Sequence, residues 1–324
     1  MEKLPDRRPS DSMLPRSNLW ISAIGIIAIG SHTVRAMEAR GPCDDSLTRN
    51  IPARAPSARG GRAFAEEVRG LADDERESSI QRELLAGNIP GFLRRFMPVR
   101  LPSARADGSP ANVVICVAPD YLAVGSDDDF LLMPMRLGTA LSVATTYGFT
   151  LPTPRMVDEI YTQASVKFVP QPLPAGDQMR STEYLVQHNE LIGGQRDVRR
   201  VLPGELIAGD KKDLVLTNHL WSHLDRVAIY GWHLANGKPI QPVSTVHGWR
   251  YADYSHGVRL ISDRVFVDGK PISIFAVMQN PRLAAALSGQ GAIDNLVGLI
   301  TALKARAQTP ITAMMNVGQS RRAP

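Results

Sequence analysis

The sequence predicts an α+β fold, in which a helical N-terminal half packs on a strand-rich C-terminal half with a mostly antiparallel or mixed sheet. Three observations carry this. Helical periods and caps dominate residues 62–200, and β-branched and aromatic runs dominate after Gly204. The two kinds of run are segregated, whereas a wound parallel sheet needs regular alternation. The chain of 324 residues is 44% hydrophobic and 21% charged, enough apolar material for a sizeable core.

Met1–Ala36 reads as an export signal. Lys3, Arg7, Arg8 and Arg16 form a basic leader, Leu19–Gly30 an apolar core, and Val34-Arg35-Ala36 a small-residue cleavage site. That core is short of the roughly 20 apolar residues a membrane span needs, so cleavage near Ala36 leaves a mature protein without a span. The expected location is secreted or periplasmic. Residues 37–61 are rich in Pro, Arg, Ser and Gly and read as a flexible linker. Cys43 and Cys116 are the two cysteines. An oxidising compartment permits them to pair, but sequence does not set their distance.

Residues 62–176 form the helix-rich part. Phe64, Val68, Leu71, Ile80, Leu84 and Leu85 follow one helical period, and Gly87-Asn88 ends it. Asn112–Ala118 is a buried strand by its β-branched content. Tyr121–Gly125 and Phe130–Met135 make a hairpin around an acidic turn, Ser126–Asp129. Leu137–Tyr147 and Arg155–Lys167 are helices, the second opened by the prolines of LPTP. Phe168–Gly176 is proline-rich and marks an internal boundary.

Residues 177–308 form the strand-rich part that carries the site. It starts with one more helix, Ser181–Arg196, capped by Ser181. Strands follow at Asp213–Thr217, Arg226–Trp232 and Val258–Val267. Asp268-Gly269 closes a tight hairpin, because that pair tolerates positive φ. Pro281–Leu287 reads as a short helix and 309–324 as a frayed tail.

Net charge is +5. The basic residues are scattered, with no basic stripe interleaved with aromatics, which argues against nucleic acid as a partner. The signatures of serine-elbow hydrolases, nucleotide P-loops and dinucleotide folds are missing. His219 and His223 are four apart, but Leu220 stands where a zinc protease motif needs Glu.

The densest titratable stretch is Val243–Arg259, reading VSTVHGWRYADYSHGVR. His247 and His256 can exchange protons near neutral pH, with Asp253 orienting one imidazole and Tyr251 donating a proton. Arg250 and Arg259 suit an anionic group, and Trp249 and Trp232 suit a sugar ring. His233 ends a strand, a position that points into clefts. Lys212 stands at a strand edge, and the same sheet is expected to carry it toward His233. Ser255 adjoins His256, yet neighbours on an extended chain face opposite ways, so this serine is a poor nucleophile for that base.

The run Ser255-His256-Gly257-Val258-Arg259-Leu260, preceded by His247-Gly248, resembles the signature of the L,D-transpeptidase family of cell-wall enzymes. That signature has Ser-His-Gly-Cys followed by an apolar residue and Arg or Asn. Here the nucleophilic cysteine is absent, one position is deleted and the His-to-Ser gap is short. The resemblance implies a cleft at a strand end and does not carry the transpeptidase reaction over.

The expected function is an exported enzyme, a hydrolase or lyase, acting on an extracellular or envelope polymer by histidine acid–base chemistry without a cofactor. One alternative is a zinc hydrolase using His233, His247, His256 and either Asp213 or Asp253. Another is a non-catalytic envelope or glycan-binding protein.

Overall fold

The computed structural model describes residues 41–104 and 108–308. The expected export signal (1–36) and tail (309–324) lie outside them. Residues 41–61, expected as a loose linker, are docked. Cys43 is buried and bonded to Cys116 in the central sheet, across 73 positions. Ile51 is buried, and the Arg54 side chain donates to Asn88 Oδ1 (2.9 Å). Gly61 N–H donates to the Asp129 carbonyl (2.9 Å), and a Cβ on Gly61 would lie 2.4 Å from the Phe130 carbonyl carbon. The low apolar content of this segment misleads because a covalent bond and close backbone contact anchor it.

This bridge closes a long loop, which restricts the unfolded chain. Reduction is expected to lower the free energy of unfolding by about 2–5 kcal/mol. Guanidinium titrations of oxidised and reduced protein measure this, and equal midpoints would show that the bridge adds no stability.

Eight α-helices lie among the described residues: α1 (Gly61–Val68), α2 (Asp73–Leu85), α3 (Leu137–Thr146), α4 (Pro154–Gln163), α5 (Thr182–Arg199), α6 (Ile274–Gln279), α7 (Ala284–Leu287) and α8 (Leu296–Gln308). The single helix expected from Ala63 to Leu85 is split in two where Gly70 takes φ +75°. Thr153 caps α4 by accepting from Met156 N–H, with Pro154 in the first turn as its sequence predicts. Ser181 caps α5, which buries the stripe Leu185, His188 and Ile192. None of the described helices is long and apolar enough to cross a membrane.

The strands are β1 (Met97–Ala104), β2 (Pro110–Val117), β3 (Ala123–Gly125), β4 (Phe130–Leu132), β5 (Phe149–Thr150), β6 (Val166–Lys167), β7 (Ile207–Ala208), β8 (Lys212–Leu214), β9 (Ile229–His233), β10 (Pro239–Ser244), β11 (His256–Gly257), β12 (Ile261–Val267) and β13 (Lys270–Ser273). The fold is α+β with antiparallel and mixed sheets, as expected. The largest sheet runs β1-β2-β12-β13, with β5 also on β12, and is antiparallel throughout. It joins the two halves of the chain, since Val265 of β12 stands opposite Ile115 of β2. Residues on both sides of Phe168–Gly176 therefore share one core. The β12–β13 hairpin turns through Asp268 (φ 50°) and Gly269 (φ 80°), as its sequence predicts.

A second sheet runs β10-β9-β8-β11, with only β8–β11 parallel. The segment Ser255–Leu260 ties the two sheets together. Lys212 N–H donates to the Ser255 carbonyl (2.7 Å), Leu122 N–H to Val258 (2.8 Å) and Ala118 N–H to Leu260 (2.8 Å). This crossing fixes where the densest titratable stretch sits.

Candidate functional site

The structure gathers five expected residues at the end of the second sheet: His247, Tyr251, Asp253, His256 and Lys212. His256 enters with β11 and has no solvent exposure. The loop before it folds back, so Tyr251 and His247 lie across His256. The Tyr251 and His247 rings stack at 4.0 Å with 6° between planes. His256 lies 6.1 Å from His247 and 5.7 Å from Tyr251, centroid to centroid. His247 and Tyr251 are half-buried, so they form the face of the site that solvent reaches.

Asp253 is the buried anchor beneath. Its Oδ1 accepts from Ser255 N–H (2.8 Å) and Ser255 Oγ (2.6 Å), and its Oδ2 accepts from Tyr251 Oη (2.9 Å). His256 Nε2 is 4.0 Å from Asp253 Oδ2, and neither ring nitrogen has a hydrogen-bond partner. Ser255 is thus an Asp253 ligand, consistent with the expectation that His256 does not deprotonate it.

Electrostatics follows burial. Burial pushes the His256 imidazole down to about 4, with the nearby charges of Asp253, Lys212 and His247 as smaller influences. His247 is also lowered, by burial first. Both rings are neutral at pH 7. Burial raises the Tyr251 hydroxyl, and the Asp253 carboxylate raises it further. Burial alone would raise Asp253, but His256 and the Ser255 and Tyr251 donors outweigh it and hold the carboxyl below its ordinary value. Since His256 is neutral at pH 7, the hydrogen bonds keep Asp253 ionised there.

A stability signature follows. The ordinary imidazole value is 6.5 and the folded value for His256 about 4. Between these the unfolded chain binds a proton that the folded chain refuses, so stability falls as pH falls from 6.5 to 4. This one group contributes a loss of about 3 kcal/mol over that window. His256→Gln should flatten the acid limb relative to wild type in urea titrations at pH 7, 5.5 and 4. Parallel limbs would show that His256 titrates normally.

Other expected residues are placed elsewhere. Arg259, expected to bind substrate, is 1% exposed. It donates to the carbonyls of Ala118 (2.9 Å) and Ile207 (2.8 Å), lies 4.3 Å over the Tyr121 ring and faces Asp213 Oδ1 at 3.9 Å. It braces the crossing between sheets, because its place on the Ser255–Leu260 segment points it inward. His233 is buried; its Nε2 pairs with Asp158 Oδ1 (2.9 Å), which also accepts from Tyr230 Oη (2.8 Å), and its ring stacks on Tyr161. It belongs to the β9–α4 contact and not to the His247 face. Arg250 is ion-paired with Asp74, which Arg136 shares, and covers the Trp249 ring at 5.2 Å. Among the described residues, no three His, Cys, Asp or Glu side chains form a group that could hold a metal ion.

A deeper polar layer was not expected. Lys211 is buried, donating to the Tyr254 carbonyl (2.6 Å) and lying 3.0 Å from His188 Nδ1. Burial lowers both, His188 to about 2. Asp213 accepts from Tyr121 Oη (2.8 Å), and burial raises it to about 6. Asp210 is buried and also raised, and Asp120 is ion-paired with Arg196. Part of this was legible: Leu185, His188 and Ile192 stand three and four apart, which marks His188 as inward-facing on α5. Lys211 and Lys212 occupy opposite faces of an extended run, so one of them must turn inward.

Comparison with protein-family models, with curated proteins and with solved structures returns no match. The likeness to the L,D-transpeptidase signature stays confined to the residues quoted for it.

Proposed function

We propose that this protein is an exported hydrolase or lyase that acts on an extracellular or envelope polymer by histidine acid–base chemistry. The observation that carries this is the accessible, neutral His247 stacked on Tyr251 over a buried His256–Asp253 pair. An imidazole that solvent reaches, beside a hydroxyl held by a buried carboxylate, supplies the proton acceptor and donor that acid–base catalysis uses.

The roles follow from accessibility. His247 and Tyr251 are the groups a substrate touches. His247 accepts a proton, from water in hydrolysis or from a carbon acid in elimination. The Tyr251 hydroxyl gives a proton to the leaving oxygen, and the imidazolium of His247 restores it. Asp253 and His256 are positioning residues. Asp253 holds the hydroxyl by a 2.9 Å hydrogen bond, and the His256 ring fixes the plane beneath it. The buried Cys43–Cys116 bond supports export, because such bonds persist in oxidising compartments.

The test is a screen of the purified protein against peptidoglycan, neutral and acidic glycans, and peptides, with and without chelator. Fragment release that withstands chelator and is lost in His247→Ala is expected. Loss with chelator and rescue by zinc would replace this reading with a zinc hydrolase. Binding without turnover of any polymer would leave a glycan- or envelope-binding protein.

A further inference from the structure

We propose that the His247 centre takes a polymer bearing carboxylate groups, and that Lys212 binds one of them. This rests on the acid–base reading of the same site.

Lys212 opens β8 directly opposite His256 on the parallel neighbour β11. Paired residues on adjacent strands project from one face, so the ammonium stem rises beside the His256 ring. Lys212 is half-buried, and its charge is felt by His247, His256 and Asp253. Among the described residues its Nζ makes no ion pair or hydrogen bond; it lies over the Trp232 ring, 5.1 Å from the centroid. Four other cations of this part of the chain are engaged. Arg180 pairs with Asp73, Arg250 with Asp74, Arg259 with two carbonyls, and Lys211 with Tyr254 and His188. Burial lowers the Lys212 ammonium and the Asp253 carboxylate offsets this only in part, so an anionic ligand group would offset more of the cost.

Trp232 supplies an independent observation. It is a bulky residue with φ 57°, a conformation that such residues adopt only when the surroundings impose it. The strain lies at the residue whose ring faces the free ammonium, between Gly231 and the buried His233. Its ring also meets Tyr254 and His188 in T-shaped contacts. The Trp232 ring is buried, so packing fixes the wall that the Lys212 ammonium faces.

A carboxylate held there also favours elimination over hydrolysis. Neutralising a carboxylate acidifies the adjacent C–H. His247 then takes that proton, the C–O bond beyond it breaks as the C=C bond forms, and Tyr251 protonates the departing oxygen. No further reactant is needed.

Calorimetry with oligogalacturonate, a γ-glutamate oligomer and a muropeptide, each against its methyl ester, tests the assignment. Wild type should bind at least one carboxylate probe about tenfold or more tighter than its ester. Lys212→Gln should abolish the preference and Lys212→Arg should keep most of it. Equal binding of acids and esters, no binding of any probe, or a preference that survives in Lys212→Gln would overturn it. His247→Ala separates the two readings. If it retains full turnover while the Lys212 preference stands, the acid–base roles are wrong and the anion site is not.

Discussion

His247→Ala is expected to lower turnover by about 10²–10⁴-fold, the usual range for losing a general acid or base. Its fold should persist, since the side chain is half-buried and among the described residues makes a stacking contact and no hydrogen bond. Tyr251→Phe removes only the hydroxyl that donates to Asp253 Oδ2, and a loss of similar order is expected. The double variant should fall little below the worse single one, because groups that act as a unit are not additive. His256→Ala should also lower turnover, but through the ring that supports Tyr251, and it opens a cavity as well. Asp253→Asn should give a smaller loss if the amide still holds Tyr251. Full activity in both His247→Ala and Tyr251→Phe would make this stretch a structural loop.

Arg259→Met should lower the free energy of unfolding by about 3–5 kcal/mol, the range for removing one partner of a buried ion pair. The variant leaves the carbonyls of Ala118 and Ile207 without their donors and Asp213 without its cation. The loss should shrink on moving from pH 7 to pH 5. Asp213, already raised to about 6 by burial, can then take a proton and shed its charge. Adding Asp213→Asn should recover part of the loss at pH 7 for the same reason. Urea unfolding at both pH values measures this. A cost below about 1 kcal/mol, as for an exposed pair, would return Arg259 to the surface and to substrate.

The legible part of the fold is the part set by local rules. The Asn112–Ala118 strand, the Asp268-Gly269 turn, the α4 and α5 starts and the α3 helix follow from β-branched runs, turn chemistry and caps between near neighbours. What misled was non-local or weakly coded. β1 contains Pro98 and Pro102, which disfavour a strand, yet all eight of its residues pair with β2 because that one neighbour accepts them. The docking of residues 41–61 depends on a cysteine 73 positions away.

For the site, the sequence by itself determined that titratable side chains concentrate between Val243 and Arg259, and that His247, Tyr251, Asp253 and His256 are close along the chain. Only the tertiary structure decided which of them solvent reaches. Burial depends on what packs from other elements. The crossing of Ser255–Leu260 between two sheets seals His256 and Arg259, while the folded-back loop leaves His247 and Tyr251 outside. The same crossing places Lys212 opposite His256 and leaves His233 to Asp158. Local spacing gives the residue types, and long-range strand pairing sets their exposure, their proton affinities and hence their roles.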